Sequence, residues 1–217
     1  MMRILVTAGG TREYIDPVRF ISNASSGRMG YALAVAALKA GHEVTLVTAP
    51  TALKPPAGAK IVPVQTAAEM FRAVKRHFPK CDCLIMAAAV SDYTPAHPAK
   101  TKLRKRPGRL TLELKPTPDI LKWAGRQGRV CRAHHEPKVI VGFALEDRDL
   151  RANAERKMRE KRLDMIIANT PGAIGAETSA LHVKSGGSDW IEIDPMRKAR
   201  SARHIIHLIE RLRENSQ

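Results

Sequence analysis

Three polar side chains, Asp16, Arg19 and Asn23, stand between two turns of small residues, Gly9-Gly10-Thr11 and Ser25-Ser26-Gly27. The first turn ends an apolar run, Ile4-Leu5-Val6; the second precedes a helical pattern. Glycine turns expose backbone N–H groups, and a helix N-terminus adds the positive end of a dipole, so the pair suits a phosphate. In an ordinary dinucleotide fold the helix starts directly at the glycine turn. Here Thr11 to Ala24 intervene, so there are two backbone cradles with polar groups hung between them. Arg19 can grip an anion in two places, and the Asn23 amide donates and accepts without adding charge.

Further along, Ala87-Ala88-Ala89-Val90-Ser91-Asp92-Tyr93 ends an apolar strand pattern. Small residues there let a ligand approach the backbone, or let a helix pack tightly. Asp92 falls just past the strand, where open α/β sheets bind ligands. Lys100 to Arg106 holds five basic residues in seven, between Pro98 and Pro107. Such a run is a solvated face, a nucleic-acid patch, or a mobile flap closing on phosphates, the reading favoured here. Lys157 and Lys161 are four apart on a helical pattern. Their like charges repel mildly, which suits an anion between them or an ordinary solvated face. Phe143 ends a strand pattern and is either core or a surface for a base.

The ordered set Gly9-Gly10-Thr11, Ile15-Asp16-Pro17-Val18-Arg19, Asn23 and Ser25-Ser26-Gly27-Arg28-Met29-Gly30 resembles the phosphopantothenoylcysteine synthetase family. Its members are coenzyme A pathway ligases that join 4'-phosphopantothenate to L-cysteine. Lys102-Leu103-Arg104-Lys105 is similar to the family's Lys-Ile-Lys-Lys motif, and Gly142-Phe143-Ala144 to its nucleotide segment. The resemblance runs from Arg3 to about Glu210. Thr117 stands where the family has Asn, and Ala168-Asn169-Thr170 where it has Ala-Asn-Asp, followed by a shortened loop to Leu181.

This resemblance implies a Rossmann-like α/β fold with a mostly parallel sheet and helices on both faces, in one domain, 1–217. It implies catalytic roles for Asn23 and Lys102. Nucleotide contacts are implied at Gly10, Ser25, Gly27, Gly30, Met86, Ala87, Ala88, Asp92 and Lys102. Others are implied at Pro118, Asp119, Ile120, Leu121, Phe143, Lys157 and Lys161. Arg19, Asn23, Ala88, Ala89 and Asp92 are implied to touch the pantothenate substrate, with Arg19 reaching one held mainly by the neighbouring subunit of a homodimer. Bacterial-type members use CTP, with Mg²⁺ carried mainly on its phosphates. Many are fused behind a flavin-dependent decarboxylase; the ligase half alone is expected here.

The elements that must position these groups are legible from periodicity. Strands are expected at Glu43 to Thr48, Lys60 to Val64, Leu84 to Val90, Lys138 to Ala144 and Asp164 to Asn169. Leu110, Leu112 and Leu114 alternate and predict a half-buried strand. Helices are expected over Met29 to Ala40, ending at Gly41; from the capping box Thr66 to Glu69 to about Phe78; and over Asp149 to Leu163. Thr117 and Pro118 predict the N-cap and first residue of a short helix, with Gly125 to Pro137 as loop. Ser185-Gly186-Gly187-Ser188 predicts a hairpin, and Asp194-Pro195 the start of a last helix with its stripe at Ile205, Ile206, Leu208, Ile209 and Leu212.

At 217 residues, one α/β domain is expected; its net charge of +16 suits polyanionic partners or simply a solvated basic surface. Aromatic content of 4% leaves few platforms for stacked bases, so no nucleic-acid partner is expected. A nicotinamide fold wants an acid at the end of the second strand; Ala49-Pro50 stands there, which counts against a short-chain oxidoreductase. Three cysteines, Cys81, Cys83 and Cys131, fit a reducing cytoplasm. The adjacent His134-His135 lack zinc spacing. No signal peptide or membrane span is expected.

Overall fold

The computed structural model describes residues 1–105, 107–133 and 138–214; Arg106 and the His134-His135 pair lie outside them. An eight-stranded sheet forms the centre. Its strands are β1 (Arg3–Ala8), β4 (Glu43–Thr48), β5 (Lys60–Pro63), β6 (Cys83–Met86), β9 (Val139–Leu145), β10 (Met165–Asn169), β11 (Thr178–Ser185) and β12 (Ile191–Arg197). Across the sheet the order is β5-β4-β1-β6-β9-β10-β11-β12. All pairs from β5 to β10 are parallel, and β11 and β12 close one side antiparallel. This is a Rossmann-like α/β sheet. The chain leaves β1 towards β4 and β5, then returns to place β6 on the other side. The crevice beyond the strand ends opens at that reversal.

Both faces are covered, which is why the inner strands are continuous apolar runs. Along β1, Ile4 and Val6 face α1 (Arg28–Lys39) and α5 (Lys198–Glu214), while Leu5 faces the opposite side. That side carries α2 (Ala67–His77), α3 (Ile120–Ala133) and α4 (Leu150–Lys161). The α2 cap forms: Thr66 Oγ1 accepts from Glu69 N at 3.1 Å, and Glu69 Oε2 accepts from Gln65 N at 2.7 Å. Two ribbons stand apart from the main sheet. One pairs β2 (Arg12–Tyr14) with β3 (Phe20–Ser22), inside the excursion between the cradles; the other pairs β7 (Tyr93–Pro95) with β8 (Leu114–Pro116).

Several elements differ from expectation. The strand expected over Leu84 to Val90 ends at Met86, and the chain then turns, leaving only a bridge between Gly10 and Ala89. The expected loop from Gly125 is helix to Ala133. Its glycines mark close approach: a Cβ on Gly128 would meet Ile140 Cγ1 at 3.1 Å. Thr117 does not cap α3; Asp119 Oδ1 accepts from Lys122 N at 2.9 Å instead, and Thr117 Oγ1 donates to Ser91 O. Leu110, Leu112 and Leu114 are 66%, 36% and 42% exposed; the strand expected there starts only at Leu114, in the β7–β8 ribbon. Asp194 and Pro195 belong to β12, and α5 starts at Lys198. Proline is tolerated there because β12 is an edge strand.

Candidate functional site

Gly9 and Gly27 both have left-handed backbones, φ +81° and +75°, which a side chain would strain. They let the two cradles touch: a Cβ on Gly27 would lie 3.3 Å from Gly9 N. Gly10 does the same for Asn23, whose carbonyl oxygen lies 2.9 Å from the position of a Gly10 Cβ. No side chain caps α1, so its first-turn N–H groups face the crevice end without a side-chain acceptor. Ser25 Oγ accepts from Gly27 N at 3.4 Å. Gly30 is buried against β1, where a Cβ would meet Ala8 Cβ at 2.6 Å. Glycine is required there for packing.

The segment after β6 is sewn to the first cradle. Ala88 N donates to Thr7 Oγ1, Ala89 N to Gly9 O, Thr11 N to Ala89 O, and Ser91 N to Thr11 Oγ1, all within 3.2 Å. Asn23 Nδ2 donates to Val90 O at 3.4 Å. The exposed Asn23 amide is therefore held beside the strand ends by both its backbone and its side chain.

A cleft of about 350 Å³ opens next to this seam. Met86, Ala88 and Asp92 line it from the end of β6, Phe143 from β9, and Lys157 and Lys161 from α4. Pro118, Asp119, Ile120 and Leu121 enter from the start of α3. Val90, Tyr93, Pro116 and Thr117 also line it. The turn after Met86 and the β7–β8 ribbon bring them there, a placement that their residue types do not signal. Ala87 and Ala89 flank the cleft without lining it.

The two lysines are already engaged. Lys157 Nζ donates to Phe143 O at 2.8 Å. Burial, then the neighbouring Lys161, lowers its pKa, and the acids nearby only partly offset this. Lys161 Nζ pairs with Asp119 Oδ2 at 2.9 Å. Burial pushes the Asp119 carboxyl up, but the Lys122 N–H and Lys161 outweigh it, and its pKa is lowered. A cleft with one crowded ammonium and one paired ammonium favours an entering anion.

Lys102 is exposed and does not line the cleft. Arg19 turns to its own chain, pairing with buried Asp16 at 2.5 Å and donating to Leu103 O at 2.6 Å. Among the described residues, no group of three or more His, Cys, Asp or Glu is placed to hold a metal ion, and no helix is long and apolar enough to cross a membrane. A larger groove, about 530 Å³, lies between α1, the start of α5 and the loop at Leu53 to Pro56, and shares no lining residue with the cleft.

Comparison with known proteins agrees with this geometry. The family profile described as the DNA/pantothenate metabolism flavoprotein C-terminal domain matches residues 1–212. The coenzyme A biosynthesis bifunctional protein CoaBC of Bacillus subtilis (strain 168) is 45% identical over 174 residues, 80% of this chain and 41% of that protein. The CoaBC of Borreliella burgdorferi is 35% identical over 211 residues, 95% of this chain and 52% of that protein. The chain thus spans about half the length of these curated relatives. A crystal structure of the C-terminal domain of a CoaBC superposes with a TM-score of 0.82 at 37% identity, covering 98% of this chain and 96% of that one. By profile, identity and shape, the chain belongs to the DNA/pantothenate metabolism flavoprotein C-terminal domain family.

Proposed function

We propose that this chain is a phosphopantothenate–cysteine ligase that activates its carboxylate substrate with CTP, as one domain working in a cytoplasmic homodimer. The observation that carries the reading is the junction of the two glycine cradles with the lysine-lined cleft, bridged by Asn23 at Val90. The relatives' names, coenzyme A biosynthesis bifunctional proteins, support it.

A carboxylate does not acylate an amine at neutral pH, because oxide is too poor a leaving group. Transfer to a nucleotide solves this. A pantothenate carboxylate oxygen attacks the α-phosphorus of CTP, and pyrophosphate leaves with the electrons of the broken P–O bond. The cysteine amine then attacks the acyl carbon; CMP departs and the amine gives up its proton. Negative charge accumulates in both steps, and fixed donors aimed at it lower the barrier. The cradle N–H groups, the Asn23 amide, Lys157 and Lys161 are the donors this chain supplies. Lys102 joins them when its segment moves over the cleft.

Among the described residues, only Asp92 and Asp119 bring carboxylates to the cleft, and Asp119 is paired with Lys161. Such a site fits Mg²⁺ carried on nucleotide phosphates and water, its usual mode; bound there, the ion would neutralise phosphate charge. The net charge of +16 speeds capture of both anionic substrates.

The test measures pyrophosphate release with 4'-phosphopantothenate, CTP and Mg²⁺, then phosphopantothenoylcysteine after cysteine is added. Release that requires both phosphopantothenate and nucleotide is expected. No release with folded protein overturns the assignment.

A further inference from the structure

Asp16 is 2% exposed, and its carboxylate is saturated. Oδ1 accepts from Val18 N at 2.9 Å and Arg19 N at 2.8 Å. Oδ2 accepts from Arg19 Nε at 2.9 Å and Nη2 at 2.5 Å, and from Leu103 N at 3.1 Å. Arg19 Nη2 also donates to Leu103 O at 2.6 Å. The contacts to Val18 and Arg19 serve the local turn. Those to Leu103 do not: they reach 87 residues from Asp16 and 84 from Arg19, and take both backbone groups of one residue.

Leu103 is the half-buried member of an exposed run, residues 100–105, that has neither helix nor strand to order it. Apart from this grip, Ala99 N donates to Ile15 O at 2.8 Å, tying the start of the run to the same excursion. Arg19's hydrogen bond holds the Asp16 carboxyl far below the usual carboxylate range, so the grip is a charged one throughout the neutral range.

We propose that Asp16 is a positioning residue for Lys102: together with Arg19 it clamps Leu103 and thereby anchors the exposed run from which Lys102 reaches the cleft. What Lys102 then does rests on the ligase reading above; the clamp itself rests on geometry alone. The proposal also gives Arg19 a task within its own chain.

Trypsin is a direct probe, because Lys100 and Arg104 are cleavage sites inside the run. Asp16→Asn replaces one acceptor with an NH2 group, either at Oδ1, which serves two N–H donors, or at Oδ2, which serves three. Leu103→Pro removes the N–H that Asp16 holds, together with the leucine side chain and some backbone freedom at Lys102, and leaves the Asp16–Arg19 pair intact. In both variants the initial cleavage rate after Lys100 and Arg104 is expected to rise on the order of tenfold or more, the scale of a lost charge-assisted hydrogen bond. With substrates present, kcat for ligation is expected to fall while the KM for nucleotide holds.

Wild-type cleavage rates in folded variants overturn the clamp. Faster cleavage with unchanged kcat overturns the positioning of Lys102. If Asp16→Asn fails to fold, Leu103→Pro decides by the same two readouts. If wild-type protein does not ligate at all, the ligase reading falls, and cleavage rates still judge the clamp.

Discussion

A Cβ built on Gly125 would lie 1.8 Å from the carbonyl oxygen of Lys161, so α3 crosses the last turn of α4 with no room for a methyl group. The consequence is local to the cleft. Asp119 stands one residue before α3 and Lys161 ends α4. Their ion pair across the cleft depends on how closely the two helices meet.

Gly125→Ala sets two effects against each other. Alanine is favoured over glycine in a helix by about 1 kcal/mol. Overpacking costs about 1–3 kcal/mol, towards the upper end here because the atom met is backbone. The clash wins, and the melting temperature is expected to fall by several degrees, with weaker nucleotide binding as Asp119 and Lys161 separate. A higher melting temperature would show that α3 shifts freely.

Asn23→Asp tests the junction of cradle and cleft. Asn23 is exposed and its one side-chain contact, to Val90 O, is long, so the fold is expected to survive. A carboxylate there repels the acyl phosphate and cannot donate to it. Ligation is expected to fall on the order of 10²-fold or more, with thermal melting unchanged. Wild-type turnover sinks the role of Asn23. A parallel loss of stability would make it a turn residue only.

Lys157 predicts a pH dependence. Its pKa is lowered in the folded protein, first by burial and then by Lys161, so the unfolded chain binds the proton more tightly. Between the folded pKa and the ordinary value near 10.5, the unfolded state carries the extra proton. Stability from this group therefore rises with pH across that window and is flat below it. Nucleotide affinity runs the other way, falling as Lys157 loses its proton. Lys157→Gln should abolish the affinity change across that same window while leaving the ligand-free protein no less stable. An affinity profile unchanged by the substitution would remove Lys157 from the site.

Much of this was readable in advance, for identifiable reasons. The parallel strands announced themselves because burial on both faces makes them uniformly apolar, as at Ile4-Leu5-Val6. Lys157 and Lys161 share a face by helix geometry alone. What the sequence concealed was contact between distant segments. Gly125 and Gly128 look like loop residues until α4 and β9 press on them. Leu110, Leu112 and Leu114 alternate like a buried strand, yet all three are exposed. The tie from Asp16 to Leu103 involves backbone groups, which carry no sequence signal at all.

The nucleotide preference is the sharpest remaining prediction. Cytosine presents an N4 amine donor beside N3 and O2 acceptors, and a purine is larger with a different edge. The cleft is about 350 Å³ and its apolar wall is made by Met86, Ala88, Ile120, Leu121 and Phe143. Leu121 has little slack, since a Cβ on Gly142 beneath it would meet Leu121 Cδ2 at 2.8 Å. A purine bound against this wall is expected to press on a packed side chain and leave polar groups unmatched, at about 1–3 kcal/mol for each buried group. That corresponds to CTP preference on the order of 10- to 100-fold. Equal CTP and ATP are supplied with phosphopantothenate and cysteine, and CMP is measured against AMP. CMP is expected to predominate. Leu121→Ala costs about 2–5 kcal/mol of stability, so it is assayed well below its melting temperature; the larger pocket should raise the AMP share. Predominant AMP from the wild-type protein refutes CTP selectivity and leaves the ligase chemistry standing, whereas an unchanged ratio in Leu121→Ala moves the base-reading wall elsewhere in the cleft.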